Sequence, residues 1–216
     1  MKSLAIGIDL GCTNIKGVLI DQEGHMLQEA RCETNEQDDK HWKRAVAGMV
    51  EDFEKRAGRK VECIGLSAPG LSDKNNSCIS FMPGRLPGLE NFNWSNLIKQ
   101  HVLVINDAHS ALMAEATFGA AKGLRHAVLL SLGTGVGGGI LINGELYQGV
   151  SQMAGHIGHT TINADTSERD ITNMPGSIED AIGNATLPER SNGRYHSTEG
   201  LVNDFRHSDQ FAASVW

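Results

Sequence analysis

The feature that most constrains the fold is a unit of strand, glycine-containing turn and second strand, which occurs twice in the sequence. The first copy spans residues 4–20 and carries IDLGCTNIKG, and the second spans 127–142 and carries LSLGTGVGGGILI. The runs on either side of each turn are rich in Val, Ile and Leu, as is typical of strands that pair as a hairpin. The repeated plan predicts two related lobes, each with its own hairpin.

The segments between the two hairpins predict an α/β fold. HMLQEARCE adds a third strand to the first hairpin and gives an antiparallel meander. A helix should follow, because apolar residues recur at helical spacing and Gly58 comes after the last of them. These apolar residues are Trp42, Val46, Met49, Val50 and Phe53. VECIGLSAPG reads as a buried strand that runs into a Pro-Gly turn, and VLVIND as a strand followed by a helix from Asp107.

The last quarter of the sequence gives weaker signals. Beyond residue 163 the chain is polar and irregular until a helix predicted over 177–183. The final residues, DQFAASVW, resemble the beginning of an amphipathic helix. We therefore expect the chain to be a truncated piece of a longer protein.

The composition narrows the range of partners. The chain has 216 residues and a formal net charge of -7, which disfavours binding to nucleic acid or to an anionic membrane. No apolar run approaches the roughly 20 residues of a membrane span, and no signal peptide is evident. The four cysteines include no C-x-x-C pair. We expect a cytoplasmic protein with reduced, mostly buried thiols and without a disulfide framework.

The two glycine turns are suited to bind phosphate. Glycine permits positive φ and lets backbone N–H groups approach an anion closely. In the first turn Thr13, Asn14 and Lys16 add hydroxyl, amide and ammonium donors, and Asp9 can hold a hydrated Mg²⁺. One such hairpin alone is better explained as a plain structural turn. Two together favour a nucleotide whose phosphates lie between them.

Two motifs suggest other functions and are rejected. Gly133, Gly135 and Gly138 satisfy G-x-G-x-x-G after a strand, but a dinucleotide site needs a helix next and a strand follows instead. HIGH at 156–159 spells a class I aminoacyl-tRNA synthetase signature. That class also needs a downstream lysine loop, and the sequence has no lysine after Lys122.

Several polar residues have both a structural and a functional interpretation. Asp107 lies where a strand gives way to a helix, and the local pattern alone favours a helix N-cap. The same position, beside Asn106, also suits a general base that accepts a proton from a substrate hydroxyl. The glycine-flanked His156 and His159 are either solvated or ligand-binding, and no cysteine or second histidine cluster lies nearby downstream to complete a metal site. Glu179 is explained locally as an acid in the first turn of a helix.

Five motifs, in sequence order, resemble the ROK family of sugar kinases and repressors. They are IDLGCTNIKG, GLSAPG, VINDAHSALMAEATFGAA, LLSLGTGVGGGILINGEL, and AGHIGH followed by PGSIED. The resemblance covers essentially the whole chain. It implies the actin-like (RNase H-like) two-lobe architecture, with mixed sheets flanked by helices and with ATP and sugar bound between the lobes. We expect an N-terminal lobe over residues 1–121 and a partial second lobe over 122–216.

The resemblance also assigns roles to individual residues. Asp107 matches the catalytic base of the family. The residues that match phosphate-binding positions are Asp9, Gly11, Thr13, Asn14, Lys16, Gly133, Thr134 and Gly135. The residues that match sugar-binding positions are Pro69, Gly70, Asn106, Asp107, His156, His159 and Glu179.

The chain departs from the family pattern at two places, one at a sugar-binding position and one at the zinc site. The family usually has glutamate at the position of His156, so the sugar contact there changes from an acceptor to a group that can donate. The family's zinc site joins the histidine that matches His159 to three cysteines, whereas this chain has Asp170, Thr172 and Ser177 there. We expect no zinc, and a loop held by packing or hydrogen bonds. Family members continue past residue 216, so we expect an incomplete second lobe.

These observations predict ATP- and Mg²⁺-dependent phosphorylation of a hexose or amino-sugar hydroxyl, with Asp107 as general base. The alternative is a non-catalytic, sugar-binding regulator or scaffold. Repressors of the family carry an N-terminal helix-turn-helix domain. Here the phosphate motif begins within ten residues of Met1, so we expect no such domain and no nucleic-acid partner. The expected partners are a sugar and a nucleotide, and the resemblance is compatible with a homodimer.

Overall fold

The computed structural model describes residues 3–36, 38–170 and 172–215. Its strands are β1 (Leu4–Leu10), β2 (Asn14–Asp21), β3 (Met26–Glu33), β4 (Cys63–Ala68), β5 (Leu71–Ser72), β6 (Ile79–Phe81), β7 (Val102–Asn106), β8 (Ala127–Leu132), β9 (Val136–Ile142) and β10 (Glu145–Leu146). Its α-helices are α1 (Asp39–Ala57), α2 (Trp94–Ile98), α3 (Asp107–Phe118), α4 (Ile178–Ile182), α5 (Leu187–Arg190), α6 (Thr198–Arg206) and α7 (Gln210–Val215), with 3₁₀ turns at Ile157–His159 and Asn184–Thr186.

The chain divides into two compact units. Unit 1 comprises the residues up to Gly123 together with Gly149–Met153, and unit 2 comprises Leu124–Gln148 together with the residues from Ala154 onward. The boundary expected at residues 121 and 122 puts Gly149–Met153 in the second lobe, whereas the structure groups this segment with unit 1.

Unit 1 is built on a mixed five-stranded sheet with the order β3-β2-β1-β4-β7. The strands β1, β2 and β3 pair antiparallel, as the predicted meander requires. The strands β4 and β7 continue the sheet in parallel to β1. The carboxyl ends of β1, β4 and β7 therefore lie at one edge of the sheet, the edge at which open α/β sheets bind ligands. In this register Asp9 pairs with Ser67, and Ala68 pairs with Asn106.

The helix α1 covers one face of this sheet. The Asp38 side chain caps its N-terminus, and Gly58 ends it in the left-handed conformation with φ 70°. All five apolar residues that predicted the helix are buried and belong to the core of unit 1, namely Trp42, Val46, Met49, Val50 and Phe53. A Cβ atom at Gly17 in β2 would overlap Met49 Sδ and crowd Phe53, so glycine at this position lets α1 approach the sheet closely.

Unit 2 contains the second hairpin and the short helices. The strands β8 and β9 pair antiparallel over Ala127–Leu132 and Val136–Leu141, and β10 extends the sheet to the order β10-β9-β8. The helix predicted over 177–183 is present as α4, with Ser177 as its N-cap. The sequence analysis did not predict α6, in which Leu201 is the only buried residue.

Two further observations concern the chain as a whole. In the described residues no helix combines the length and the apolar character needed to cross a bilayer. The four cysteines are free thiols, but the expectation that most are buried is wrong. Cys63 is exposed, and the other three are half-buried because they lie at the sheet periphery or in turns.

Candidate active site

Asp9 is held in place at the end of β1 by the neighbouring strand. Ser67 Oγ in β4 donates a hydrogen bond of 2.9 Å to Asp9 Oδ1. Lys16 Nζ in β2 lies 4.0 Å from Asp9 Oδ2, and the Asp9 side chain remains 47% exposed. The carboxylate is therefore oriented by one partner and still accessible to a hydrated cation.

The first glycine turn is closed by its own backbone and braced from β3. The amide of Gly11 donates to the carbonyl of Asn14 at 3.0 Å. Thr34 reaches the turn twice, with its amide on Thr13 O at 2.9 Å and its hydroxyl on Gly11 O at 2.7 Å. Within the described residues, the amides of Cys12 and Thr13 have no acceptor, so two N–H groups are available at the tip of the turn.

A second brace lies beside Cys12 in the same turn. Arg85 Nε and Nη2 donate to the two carboxylate oxygens of Glu36 at 2.6 and 3.0 Å. Burial raises the pKa of the Cys12 thiol to about 11, and the negative charges of Glu36 and Asp107 add to that rise. The thiol is therefore protonated at neutral pH and acts as a packing group rather than a nucleophile.

Asn106 connects the SAPG loop to the start of α3. Its Oδ1 accepts the amides of Ala108 at 3.0 Å and His109 at 3.2 Å, and thus caps the helix. Its Nδ2 donates to the carbonyl of Gly70 at 2.9 Å. Gly70, which follows Pro69, has φ 101° and lies so close to the Phe81 carbonyl that a Cβ atom would collide with it. The helix cap predicted for Asp107 is therefore made by Asn106, which leaves Asp107 as the first residue of the helix.

Asp107 combines access to solvent with a perturbed pKa. The residue is exposed, yet the protein around its carboxylate removes part of the hydrating water. This desolvation raises the pKa of Asp107, and the negative charge of Asp9 raises it further. The hydrogen bond from the Ala108 amide to Oδ1, 2.8 Å long, opposes the rise. Asp9 and Asp107 are therefore close enough to interact electrostatically at one edge of the unit 1 sheet.

A hollow of about 370 Å³ opens beside Asp9 on unit 1. Its polar wall includes Asp9, Lys16, Ser67 and Ser110, and its floor contains small residues such as Gly65. A Cβ atom at Gly65 would meet nothing within 4 Å, which confirms that the space above the sheet is open.

The second glycine turn, in unit 2, has a similar construction. The amide of Gly133 donates to the carbonyl of Gly135 at 2.9 Å. The segment after α4 is hydrogen-bonded to the turn. The amide of Asn184 donates to the carbonyl of Gly133 at 3.0 Å, and the amide of Ala185 donates to the carbonyl of Thr134 at 2.9 Å. In the part of the chain that the structure describes, the amides of Thr134 and Gly135 have no acceptor.

Glu179 packs against this second turn. Its Oε2 accepts the amide of Val136 at 2.9 Å, and a Cβ atom at Gly135 would overlap the carboxylate. One oxygen of Glu179 is thus used to fix the turn.

His159 contacts Asp170, which stands at one of the positions where the ROK pattern has a zinc-binding cysteine. Its Nδ1 lies 2.9 Å from Oδ2 of Asp170, whose side chain is fully buried. Oδ1 of Asp170 accepts the amide and hydroxyl of Thr172, both at 2.8 Å, and the amide of Met174 at 2.9 Å. Burial acts to raise the pKa of Asp170, but these hydrogen bonds outweigh it and lower the pKa to about 2.

Asp170, Thr172 and Ser177, which stand where the ROK pattern has cysteines, thus form hydrogen bonds within the loop. Ser177, the third of them, is fully buried, and its Oγ accepts the amide of Asp180 at 3.2 Å. His156 precedes the 3₁₀ turn and is half-buried. The absence of zinc remains a prediction.

The structure brings part of the predicted set together within unit 1. Asp9, the first glycine turn, Gly70, Asn106 and Asp107 share one sheet edge. The other predicted residues belong to unit 2, namely Gly133, Thr134, Gly135, His156, His159 and Glu179. The sequence did not predict Ser67 as the partner of Asp9 or Thr34 as the brace of the turn. Both contacts join residues far apart in the chain, and only strand register could have revealed them.

A family comparison gives the same assignment as the motifs. The model of the ROK family matches residues 5–216. The chain belongs to the ROK family. This confirms the resemblance on which the site residues were assigned.

ROK proteins of two kinds are similar to the chain. It is 32% identical over 165 residues to a glucokinase of Streptomyces coelicolor, a match that covers 72% of this chain and 49% of the relative. It is 32% identical over 170 residues to a xylose repressor of Bacillus spizizenii, with 73% of this chain and 42% of the relative covered. The chain spans about half the length of these relatives.

A solved ROK structure is also similar to the chain. The glucokinase of Streptomyces griseus, in complex with glucose and AMPPNP, has a TM-score of 0.79 and 25% identity, and covers 99% of this chain and 74% of its own. The predicted α/β, actin-like fold class with mixed sheets and flanking helices is confirmed.

Proposed function

We propose that this ROK protein is a sugar kinase that transfers the γ-phosphoryl group of ATP to a hydroxyl of a hexose or amino sugar. The observation that carries the proposal is the position of Asp107. Its carboxylate is accessible at the carboxyl edge of the sheet, has a raised pKa, and lies near Asp9. Phosphoryl transfer depends mainly on positioning and on stabilisation of charge, with a carboxylate that receives the hydroxyl proton.

Asp107 suits the role of general base because its neighbour Asn106, and not Asp107, makes the helix N-cap. Asn106 caps α3 and holds the Gly70 loop. The Asp107 carboxylate accepts the amide of Ala108 through Oδ1, and the residue remains exposed to a substrate hydroxyl. A raised pKa makes the carboxylate a stronger proton acceptor.

The phosphate-binding role of the first turn is supported by its free donors. The amides of Cys12 and Thr13, with Lys16 nearby, suit the terminal phosphates of a nucleotide. Asp9 fits a magnesium ion, because Mg²⁺ is usually held by one or two carboxylates, often with several waters retained. When bound, the ion neutralises charge on the phosphate oxygens. In unit 2 the amides of Thr134 and Gly135 offer the same donors.

We assign the sugar-binding role to residues of both units. In unit 1 these are Pro69 and Gly70 in the fixed loop, and Asn106 beside the base. In unit 2 they are His156, His159 and Glu179. A histidine at 156 can donate a hydrogen bond to a sugar oxygen, which a glutamate cannot, so the preferred sugar should differ from that of family members with glutamate there.

The similarity to a xylose repressor favours a second candidate function, that of a sugar-binding regulator without catalysis. This candidate keeps the sugar-binding roles and does not need Asp107 as a base. The two functions differ in one measurable property, the formation of ADP when a sugar is present.

The test is ADP release with a panel of hexoses and amino sugars, in the presence of ATP and Mg²⁺. Asp107→Asn preserves the shape and removes the base, so kcat should fall by about 10²–10⁴-fold while sugar binding is retained. Asp52→Asn, on the exposed surface of α1, is the matched control and should leave kcat unchanged. Equal activity of Asp107→Asn and wild type would refute the role of Asp107. Sugar binding without any ADP release would favour the regulator.

A further inference from the structure

Glu36, which follows β3, accepts hydrogen bonds from two separate segments of unit 1. Arg85 Nε and Nη2 donate to its two carboxylate oxygens at 2.6 and 3.0 Å. These bonds are the main cause that lowers the pKa of Glu36, and hydrogen bonds from the Cys12 thiol and the Leu86 amide lower it further. Cys12 belongs to the first glycine turn, whereas Arg85 and Leu86 belong to the loop after β6. Glu36 therefore connects the turn to that loop.

The loop after β6 is anchored in the core of unit 1. Leu86 is 1% exposed, and Leu89 is fully buried. Leu86 has φ 45°, in the left-handed region that residues other than glycine rarely adopt, and its burial holds it there. The main chain beside Arg85 is thus fixed by a core side chain. The loop is a stable support from which Arg85 can orient Glu36.

The same loop is also connected to the residues around the candidate base. The strand β6 pairs with β5, which directly follows Gly70. The carbonyl of Phe81, at the end of β6, lies where a Cβ atom of Gly70 would be placed. Gly70 in turn accepts the hydrogen bond from Asn106 Nδ2 at 2.9 Å. Glu36 therefore joins the glycine turn to a part of unit 1 that is itself held in place next to Asp107.

We propose that Glu36 is a positioning residue for nucleotide binding, which holds the first glycine turn in the conformation that receives phosphate. This inference rests on the proposed phosphate-binding role of the turn. The amides of Cys12 and Thr13, which have no acceptor among the described residues, are the groups that Glu36 would keep in place. A turn that is already fixed loses less conformational entropy when a ligand binds, so the affinity is higher. Glu36 acts through the turn and needs no contact with the nucleotide.

The first test is the affinity for AMPPNP with Mg²⁺, measured by titration calorimetry, because it requires no phosphoryl transfer. In Glu36→Gln the amide NH₂ group cannot accept a hydrogen bond, so one of the three donors loses its acceptor. The dissociation constant should rise roughly tenfold. An unchanged dissociation constant in Glu36→Gln would overturn the proposal.

The matched control is Glu62→Gln, which should leave the affinity for AMPPNP unchanged. Glu62 forms an ion pair with Arg59 that is also 2.6 Å long. It precedes β4 and therefore lies at the amino end of this strand, away from the carboxyl edge that carries the site. An equal rise of the dissociation constant in Glu62→Gln would show a general effect of lost ion pairs and would overturn the proposal.

The second test asks whether Glu36 and Arg85 act as one unit. Arg85→Met has a similar length without the donors, and it should weaken AMPPNP binding as Glu36→Gln does. The double variant should bind no more weakly than the weaker single variant, whereas independent effects would multiply to roughly 100-fold and refute the coupling. In the ADP assay Glu36→Gln should raise the KM for ATP and leave kcat nearly unchanged, because Asp107 is untouched. A fall in kcat without a rise in KM would contradict a role in nucleotide binding.

The role of Glu36 and the kinase activity can fail separately. Weaker AMPPNP binding in Glu36→Gln, together with no ADP release from any sugar, would refute the kinase and retain the role of Glu36. An active wild-type protein whose nucleotide affinity is the same in Glu36→Gln would do the reverse. A wild-type protein that does not bind AMPPNP would refute both.

Discussion

The hydrogen bonds at Asp170 predict a large local loss of stability when its carboxylate is removed. The side chain is 0% exposed and accepts bonds from the Thr172 amide, the Thr172 hydroxyl and the Met174 amide, while Oδ2 faces His159. Asp170→Ala leaves these donors without an acceptor in a buried site. Unsatisfied buried groups cost about 1–3 kcal/mol each, partly relieved by water, so we expect a loss of about 3 kcal/mol.

The charge of Asp170 gives a second, pH-dependent expectation. Its pKa is lowered from 3.8 to about 2 in the folded protein. The stabilisation is therefore fully present above pH 3.8 and is lost as the pH falls towards 2. The shift corresponds to about 2 kcal/mol. Asp170→Asn keeps an acceptor at Oδ1 and should cost less than Ala. Its deficit in unfolding free energy, measured by urea titration, should shrink over this pH window.

The direct assay is hydrogen exchange at the amides of Thr172 and Met174, because it reports the opening of this loop alone. A loss of about 3 kcal/mol makes exchange through local opening roughly 100-fold faster in Asp170→Ala. The control is Asp165→Ala, an exposed residue of the same loop, which should leave both rates unchanged. Rates within a factor of about three of wild type in Asp170→Ala would show that these bonds do not hold the loop.

Three further predictions concern packing and metal. Gly17→Ala should lower the unfolding free energy by about 1–3 kcal/mol, because its Cβ atom overlaps Met49, whereas Gly65→Ala has open space and should be tolerated in the same chemical denaturation series. Gly135→Ala should displace Glu179 from the Val136 amide and lower the melting temperature, and a melting temperature equal to that of Gly133→Ala, which has room for a Cβ atom, would contradict this. Elemental analysis of protein purified without added zinc should find no stoichiometric zinc; one zinc per chain would contradict the interpretation of Asp170.

Much of the fold could be predicted because its signals are local. The core-facing side of α1 follows from five apolar residues at helical spacing, and Gly58 marks its end. Both hairpins follow from alternating strands around glycine turns. The helix α6 was missed, and it buries only Leu201.

The candidate site was predicted less completely, because several of its contacts join distant strands. Ser67 reaches Asp9 only because β4 pairs in parallel with β1, and Thr34 braces Gly11 only because β3 lies beside β2. Neither residue carries a motif of its own. The sequence also could not show that Asn106 rather than Asp107 caps α3. Either side chain can cap a helix, and the choice depends on the side-chain geometry.

The sequence by itself determined where the strands, glycine turns and main helices lie, and which polar residues stand at their ends. Those choices follow from backbone preferences and apolar periodicity, which act over a few residues. The tertiary structure alone decided which carboxylates are desolvated and which accept several hydrogen bonds. Desolvation and strand register depend on segments that meet only after the chain has folded.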